Sequence, residues 1–296
     1  MTDIDEATDV DLEAIRSTAA AALHLDPEAA ELPSHLAAPP AARRWTSLIA
    51  AGGAGVVYAS LGHAHAEEGV AGYIDLLAVH PDAQGRGLGR ALLRAGEAWL
   101  RAAGAVEVRL AGHPPCYAWP GIDMRYTPAL CLAERLGYER YSMAWNMTVP
   151  LDADLSTTTA IERLAAAGVQ VREVSAADRG TVTEFVRRHW NDNWAWEVDR
   201  AAGCHYAVRE GEVLGFAAWG TRPGWFGPMG TAPAAEGLGI GRVLLRRCLA
   251  DQGATGQREA QIGWVGPLRF YSRAAGARAE RVFALYRRNL EGRADV

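Results

Sequence analysis

The chain alternates short apolar runs with helix-spaced apolar positions, and it does so twice in the same order. Near each start a short strand-like piece leads into a helix: "DIDEATDVDLEAIRSTAAAAL" from Asp3, and "VREVSAADRGTVTEFVRRHW" from Val171. Two apolar strands around a Gly-containing turn come next. They read "RWTSLIA", "AGGAG" and "VVYASLG" in the first half, and "CHYAV", "REGE" and "VLGFAAWG" in the second, a hairpin signal. A third strand follows, "YIDLLAV" (Tyr73–Val79) or "WFGPMGT" (Trp225–Thr231). The helix after it carries Leu92, Leu93 and Trp99, and later Leu244, Leu245 and Leu249, at helical spacing. Strands "VEVRLAG" (Val106–Gly112) and "EAQIGWVG" (Glu259–Gly266) come next, and each half closes with a helix, a Gly and a last strand. The pattern predicts an α/β protein with mixed sheets in two domains, 1–150 and 169–296, joined by a linker at 151–168 that carries a short helix.

The sharpest repeated feature lies between the third strand and the helix. "GRGLGRALLR" (Gly85–Arg94) and "GLGIGRVLLR" (Gly237–Arg246) share Gly, Gly, Gly, Arg, Leu, Leu and Arg in register. Alternate glycines let a backbone curl so that several N–H groups face one concavity. A helix starting there adds unpaired N–H groups and the positive end of its dipole. Together they form an anion cradle suited to a pyrophosphate, with Arg86, Arg90 and Arg242 in reach of further oxygens. A tight turn with no ligand explains one copy. Two copies at equal places in two repeats favour the cradle. A Rossmann dinucleotide site fits poorly, because that fingerprint follows the first strand of a βαβ unit with another glycine spacing.

Composition narrows the classes. A formal net charge of −5 gives no broad basic field for nucleic acid. The acidic start "MTDIDEATDVDLEAI" has no apolar segment of a signal peptide, and no apolar run is long enough to span a bilayer. Cys116, Cys131, Cys204 and Cys248 are far apart and form no C-x-x-C pair, which argues against structural zinc and disulfides and for a reducing cytoplasm. No metal is expected. The chain contains no Lys, which excludes Schiff-base chemistry and a Walker A loop.

Gln84-x-x-Gly87-x-Gly89 resembles motif A of the GNAT superfamily of N-acetyltransferases, and "YIDLLAVHP" is similar to that family's fourth strand. "FYSRAAG" (Phe270–Gly276) resembles its late helix motif, and Glu236-x-x-Gly239-x-Gly241 its motif A with Glu where Gln or Arg is usual. The resemblance spans both halves. It implies two GNAT-like domains in tandem, each a mostly antiparallel twisted sheet flanked by helices, with a splayed strand pair. It implies acetyl-CoA as cosubstrate. The pyrophosphate would lie on Gln84, Gly85, Arg86, Gly87, Leu88, Gly89 and Arg90, and on Gly237, Leu238, Gly239, Ile240, Gly241 and Arg242. Val79, Met229 and Thr231 would flank the pantetheine arm.

The chemistry implied is attack by a neutral amine on the thioester, with a base for the amine proton and an acid for the leaving thiolate. Asp75 is the base candidate and Tyr271 the acid candidate. Taken alone, Asp75 also reads as a structural strand Asp, and Tyr271 as a helix Tyr at a packing boundary. Asp123 and Tyr126 sit in the long Pro- and aromatic-rich insertion His113–Ala129, expected over the splayed strands. Trp190, Trp194 and Trp196 read as core packing by default, but they lie in "RRHWNDNWAWEVD", where exposed rings beside Asn, Asp and Glu suit sugar stacking. The expected partner is a small-molecule amine, an amino sugar or glucosaminide first, an aminoglycoside-like or mycothiol-precursor amine next. The alternative is a non-catalytic acyl-CoA-binding sensor or scaffold. Monomer and homodimer stay equally open.

Overall fold

The computed structural model describes residues 3–65 and 69–290. In chain order the first elements are β1 (Ile4–Glu6), α1 (Leu12–Ala22), α2 (Leu32–Leu36), β2 (Trp45–Ala50), β3 (Gly55–His65), β4 (Gly69–Val79), α3 (Leu88–Ala102) and β5 (Ala105–Leu110). Then come β6 (Ile122–Asp123), α4 (Thr127–Arg135), β7 (Glu139–Pro150), α5 (Thr158–Ala166), β8 (Gln170–Glu173), α6 (Arg179–His189) and α7 (Asp192–Arg200). The rest are β9 (Gly203–Arg209), β10 (Glu212–Trp219), β11 (Trp225–Thr231), α8 (Ile240–Ala254), β12 (Glu259–Ile262), α9 (Leu268–Ala275) and β13 (Arg278–Asn289).

The chain groups into two compact units, Met1–Ala144 with Val282–Val296, and Trp145–Arg281. In unit 1 the sheet runs β1-β2-β3-β4-β5 and is closed by the end of β13, with Leu110 opposite Tyr286. In unit 2 it runs β8-β9-β10-β11-β12 and is closed by the end of β7, with Ile262 opposite Met147. This grouping differs from consecutive ranges divided after residue 150. Each fifth strand has an edge of N–H and C=O groups that needs a partner. β7 and β13 are equivalent copies in the repeat, so local patterning cannot say which edge each one satisfies.

Within each unit, neighbouring strands are antiparallel except the pairs β4–β5 and β11–β12, which are parallel. Parallel neighbours need a crossover, and α3 and α8 supply it. Leu92, Leu93 and Leu100 of α3 are fully buried against Val57, Ile74 and Val108. Leu244, Leu245 and Leu249 of α8 are buried against Ala217, Phe226 and Ile262. Each such leucine contributes about 1.5–3 kcal/mol. Trp99, expected in the α3 stripe, is half-buried at its edge. Glu97 is buried instead, held by the Tyr138 hydroxyl and the Arg288 guanidinium, each at 2.5 Å.

Both parallel pairs come apart in mid-strand. β4 and β5 pair from Val70 to Tyr73, ending at Tyr73 opposite Arg109, while β4 runs on to Val79 alone on that side. β11 and β12 pair only at Trp225 and Phe226, and β11 continues to Thr231. Each unit therefore has a V-shaped fork that ends in a glycine loop.

Candidate functional site

The loops are built alike. After β4, a short turn (Pro81–Ala83) leads to Gly85 at φ +72° and Gly87 at φ +85°, the residue that caps α3. After β11, the turn Pro233–Ala235 leads to Gly237 at φ +79° and Gly239 at φ +86°, the cap of α8. A side chain in this left-handed region is strained, so glycine is required there. The first intrahelical bonds run from Ala91 N–H to Gly87 C=O and from Val243 N–H to Gly239 C=O. The N–H groups of Leu88, Gly89 and Arg90, and of Ile240, Gly241 and Arg242, precede them and point out of the helix ends.

The cradles are open. A Cβ built on Gly85 or Gly237 meets nothing within 4 Å, and one on Gly87 meets only Arg90 Nη2 at 3.6 Å. Gly89 is needed for another reason, since its Cβ would stand 3.3 Å from Leu132 and 3.7 Å from Val79. At Gly241 the same space is bordered by Thr231, Met229 and Phe270. Leu88 and Ile240 turn into the core, and Leu238 is half-buried. Arg86, Arg90 and Arg242 lie at the rims. Gln84 does not face the cradle alone, because its amide donates to the Val79 carbonyl at 3.0 Å and ties the strand end to the loop. The second loop has an unforeseen cation: Arg163 of α5 brings Nη2 within 3.0 Å of a Gly239 Cβ. Open, N–H-lined and rimmed by arginines, both loops fit the diphosphate of a nucleotide cofactor.

At the fork of unit 1, Asp75 lies just past the last β4–β5 pair. Its Oδ1 is buried without a hydrogen-bond partner. Burial raises the carboxyl from its ordinary value to about 7, opposed by a hydrogen bond from Ser60 and by the charge of Arg43. Counting back equally from Gly87 and Gly239 sets Gly227 opposite Asp75, so unit 2 lacks a carboxyl at this point of its fork.

Unit 2 has a phenol instead. Tyr271 of α9 is buried edge-on to Phe226, the last paired residue of the fork, and to Phe270. Burial pushes its hydroxyl up to about 12, so it holds its proton at neutral pH. Leu132 takes the corresponding place in α4 of unit 1. Glu197 of α7 is a carboxyl that no sequence motif marks. Burial raises it to about 8, against the opposing charge of Arg222. The available signal was its place beside Val198 and one turn from Trp194, a carboxylate on an apolar helix face.

The acceptor-side residues fall differently from expectation. Asp123 is buried in an ion pair with Arg125 at 2.8 Å, and Arg125 also reaches Asp26 at 3.0 Å. The Tyr126 hydroxyl donates to Asp26 at 2.6 Å. Both polar groups thus fasten α4 to the loop after α1. The part of the insertion that does lie at the fork is His113, stacked on Tyr73 at 4.2 Å. Trp190 and Trp194 are not exposed rings on a turn. They stack at 5.9 Å, pack against Phe216, and join the core cluster of α6 and α7. The segment is helical because Trp194, Ala195 and Val198 form one apolar face. Gly230 admits the Trp190 ring, which any Cβ at that position would strike. Trp196 is half-buried with the Arg200 guanidinium 4.3 Å above it.

Two copies of a glycine-capped helix behind a forked parallel strand pair define a duplicated acyltransferase architecture. The chain belongs to the acetyltransferase (GNAT) family, whose model matches residues 14–116 and again 171–264. It is 31% identical over 205 residues to a mycothiol acetyltransferase of Thermomonospora curvata, a match covering 62% of each chain. Among solved structures, it superposes on the glucosamine N-acetyltransferase region of a fungal multi-domain β-N-acetylglucosaminidase with a TM-score of 0.76 and 17% identity, covering 97% of this chain and 38% of that one. It superposes on a tandem GNAT protein from the clavulanic acid biosynthesis pathway with a TM-score of 0.72 and 17% identity, over 100% of both chains. The two structural likenesses speak for the fold, two GNAT repeats in tandem. Among the described residues there is no helix long and apolar enough to cross a membrane, and no group of three His, Cys, Asp or Glu that could hold a metal ion.

Proposed function

We propose that the protein transfers the acetyl group of acetyl-CoA to a primary amine of a small molecule. An amino sugar or glucosaminide ranks first, and an aminoglycoside-like or mycothiol-precursor amine next. The observation that carries the reading is the open glycine cradle lying beside a fork that holds a desolvated carboxyl in unit 1 and a buried phenol in unit 2. The diphosphate rests on the N–H groups of the loops and of the first helical turns, with Arg86, Arg90 and Arg242 outside it. Val79, Met229 and Thr231 flank the pantetheine arm. An amine at neutral pH is mostly protonated and must lose a proton before its lone pair attacks the thioester carbon. Asp75, with a carboxyl near neutrality, suits that step in unit 1. In unit 2 the protonated Tyr271 suits donation to the leaving thiolate.

The substrate ranking draws on what the relatives are called, a mycothiol acetyltransferase and a glucosamine N-acetyltransferase region. Of the acceptor-side residues, Trp190, Trp194 and Trp196 keep half-buried rings in unit 2, while Asp123 and Tyr126 fasten α4 to the loop after α1 in unit 1. A second reading, an acyl-CoA-binding module with one silent half, draws on Gly227 opposite Asp75 and on Arg163 crowding Gly239. Thiol release from acetyl-CoA with a panel of glucosamine, glucosaminides, aminoglycosides and mycothiol precursors decides between them. Turnover on any of these amines supports transfer. Saturable acetyl-CoA binding with no turnover on all of them turns the conclusion to the binding module.

A further inference from the structure

Asp75 has an organised polar structure behind it. Ser60, buried on β3 opposite Tyr73 in the ladder, places Oγ 2.8 Å from His113 Nδ1, and its hydroxyl favours the charged form of the Asp75 carboxyl. His113 is buried and lies flat on Tyr73, the last paired residue of the fork. The backbone that carries His113 is fixed by one guanidinium. Arg43 donates to the carbonyls of His113 at 2.9 Å, Pro114 at 2.5 Å and Cys116 at 2.8 Å. Charged or titratable groups near this cluster include Tyr73 on β4, Cys116 on the insertion, Arg109, whose guanidinium is 6.0 Å from the Tyr73 ring, and beyond them Glu107 and Tyr141. A buried carboxyl with a purely structural task satisfies both oxygens, yet Asp75 Oδ1 has no partner. Asp75 as a whole is half-buried at the fork, while Ser60 and His113 are fully buried.

We propose that Ser60 and His113 form a proton path behind Asp75, which makes the first unit a working transfer site and not a silent copy. This rests on Asp75 being the base of the proposed reaction. The amine N–H bond breaks and its proton goes to the Asp75 carboxylate, while the nitrogen lone pair forms the bond to the acetyl carbon. The C–S bond of the thioester then breaks, and CoA leaves as a thiolate whose charge is matched by the proton now on the path. The carboxyl then gives a proton to Ser60 Oγ as the Ser60 proton passes to His113 Nδ1. Asp75 returns to carboxylate, Ser60 is unchanged, and His113 becomes imidazolium. Ser60 and His113 are positioning residues, since only Asp75 meets the amine.

The test uses the full chain and two readouts. The first is carbon-13 NMR titration of labelled Asp carboxyls and His rings, with Asp75→Asn assigning the Asp75 signal. In the unaltered protein, Asp75 and His113 titrate as a coupled pair. Ser60→Ala raises the Asp75 midpoint, because a hydrogen bond to the charged form is lost. It also removes the response of His113 to Asp75, and Ser60→Thr, which keeps the hydroxyl, restores both. The second is turnover of acetyl-CoA with glucosamine in a Tyr271→Phe background, where the first unit works alone. Ser60→Ala and His113→Gln lower kcat by roughly tenfold and move the acid limb of the pH profile upward, with the acetyl-CoA KM unchanged. Independent titration of Asp75 and His113, unmoved by Ser60→Ala, overturns the path while Asp75 stands as base if Asp75→Asn still abolishes turnover. Full turnover in Asp75→Asn overturns the base, and the path with it.

Discussion

The two forks share a backbone and divide the chemistry. In unit 1 the position past the last parallel pair carries Asp75, with its carboxyl raised to about 7, and the late helix offers Leu132. In unit 2 the same position is Gly227, and the late helix offers Tyr271, with its hydroxyl raised to about 12. The repeat keeps what the fold needs, the left-handed glycines and the helix dipole. It frees the side chains that decide which proton moves. The comparison teaches that a matching loop predicts where a phosphate binds, and says little about which half reacts.

The most drastic way to break the comparison is to fill one cradle at a time. Gly87→Glu and Gly239→Glu each force a side chain at φ +85° or +86° and put a carboxylate where phosphates are expected. Each is expected to abolish acetyl-CoA binding at its own loop. Calorimetric titration of the unaltered chain and the two variants reads the stoichiometry. Loss of one site per variant means both units bind. A variant with unchanged stoichiometry marks its unit as already silent.

Tyr271→Phe is the next largest. It keeps the ring against Phe226 and Phe270 and removes only the hydroxyl. If unit 2 carries turnover through this phenol, kcat falls by roughly a hundredfold, a typical acid contribution, while thermal stability stays the same. Wild-type kcat at saturating amine moves the chemistry to Asp75.

Much of this was legible in the sequence. The apolar periodicity placed α3 and α8, and alternate glycines after a strand placed the caps, because both signals act within a few residues. What was not legible depended on distant partners. β7 and β13 look alike locally, and only the unpaired edges of β5 and β12 decide where they go. The Trp-rich segment left core packing and exposure both open, because its neighbours are Asn and Asp, and tertiary packing on Phe216 decided for Trp190 and Trp194. Asp123 was a sound candidate until Arg125, two residues on, closed over it. Ser60, far from His113 in sequence, gave no signal at all.

The two desolvated carboxyls also make a stability prediction. Asp75 rises from 3.8 to about 7 and Glu197 from 4.5 to about 8 on folding. Below the ordinary values both groups are protonated in either state and cost nothing. As pH rises past them the unfolded chain ionises first, and stability falls until the folded groups ionise near 7 and 8. A tenfold change in an ionisation constant corresponds to about 1.4 kcal/mol, so the loss amounts to a few kcal/mol. Asp75→Asn and Glu197→Gln remove it. Each is expected to raise Tm at pH 8 by roughly 5 °C and to leave Tm at pH 4 nearly unchanged, read by calorimetry in matched buffers. No rise in Tm at pH 8 places the carboxyls in contact with water.

The smallest effect sharpens the comparison most. Gln84 ties its loop to the Val79 carbonyl with an amide donor, and its counterpart Glu236 has no donor to offer the matching Thr231 carbonyl. Repulsion between Glu236 at the loop surface and a phosphate acts largely through water and is worth only about 0.5 kcal/mol. Glu236→Gln both removes the charge and restores a donor. The gain in acetyl-CoA affinity at the second loop is expected to be about two- to fivefold at low salt, measured in a Gly87→Glu background so that one site is read. At high salt the charge component is screened, and what survives is the tie alone. Arg163→Gln acts in the opposite direction if its guanidinium, now beside Gly239, meets the phosphates. Tighter binding in Arg163→Gln instead identifies Arg163 as an obstruction, and the second cradle as the one that duplication has let close.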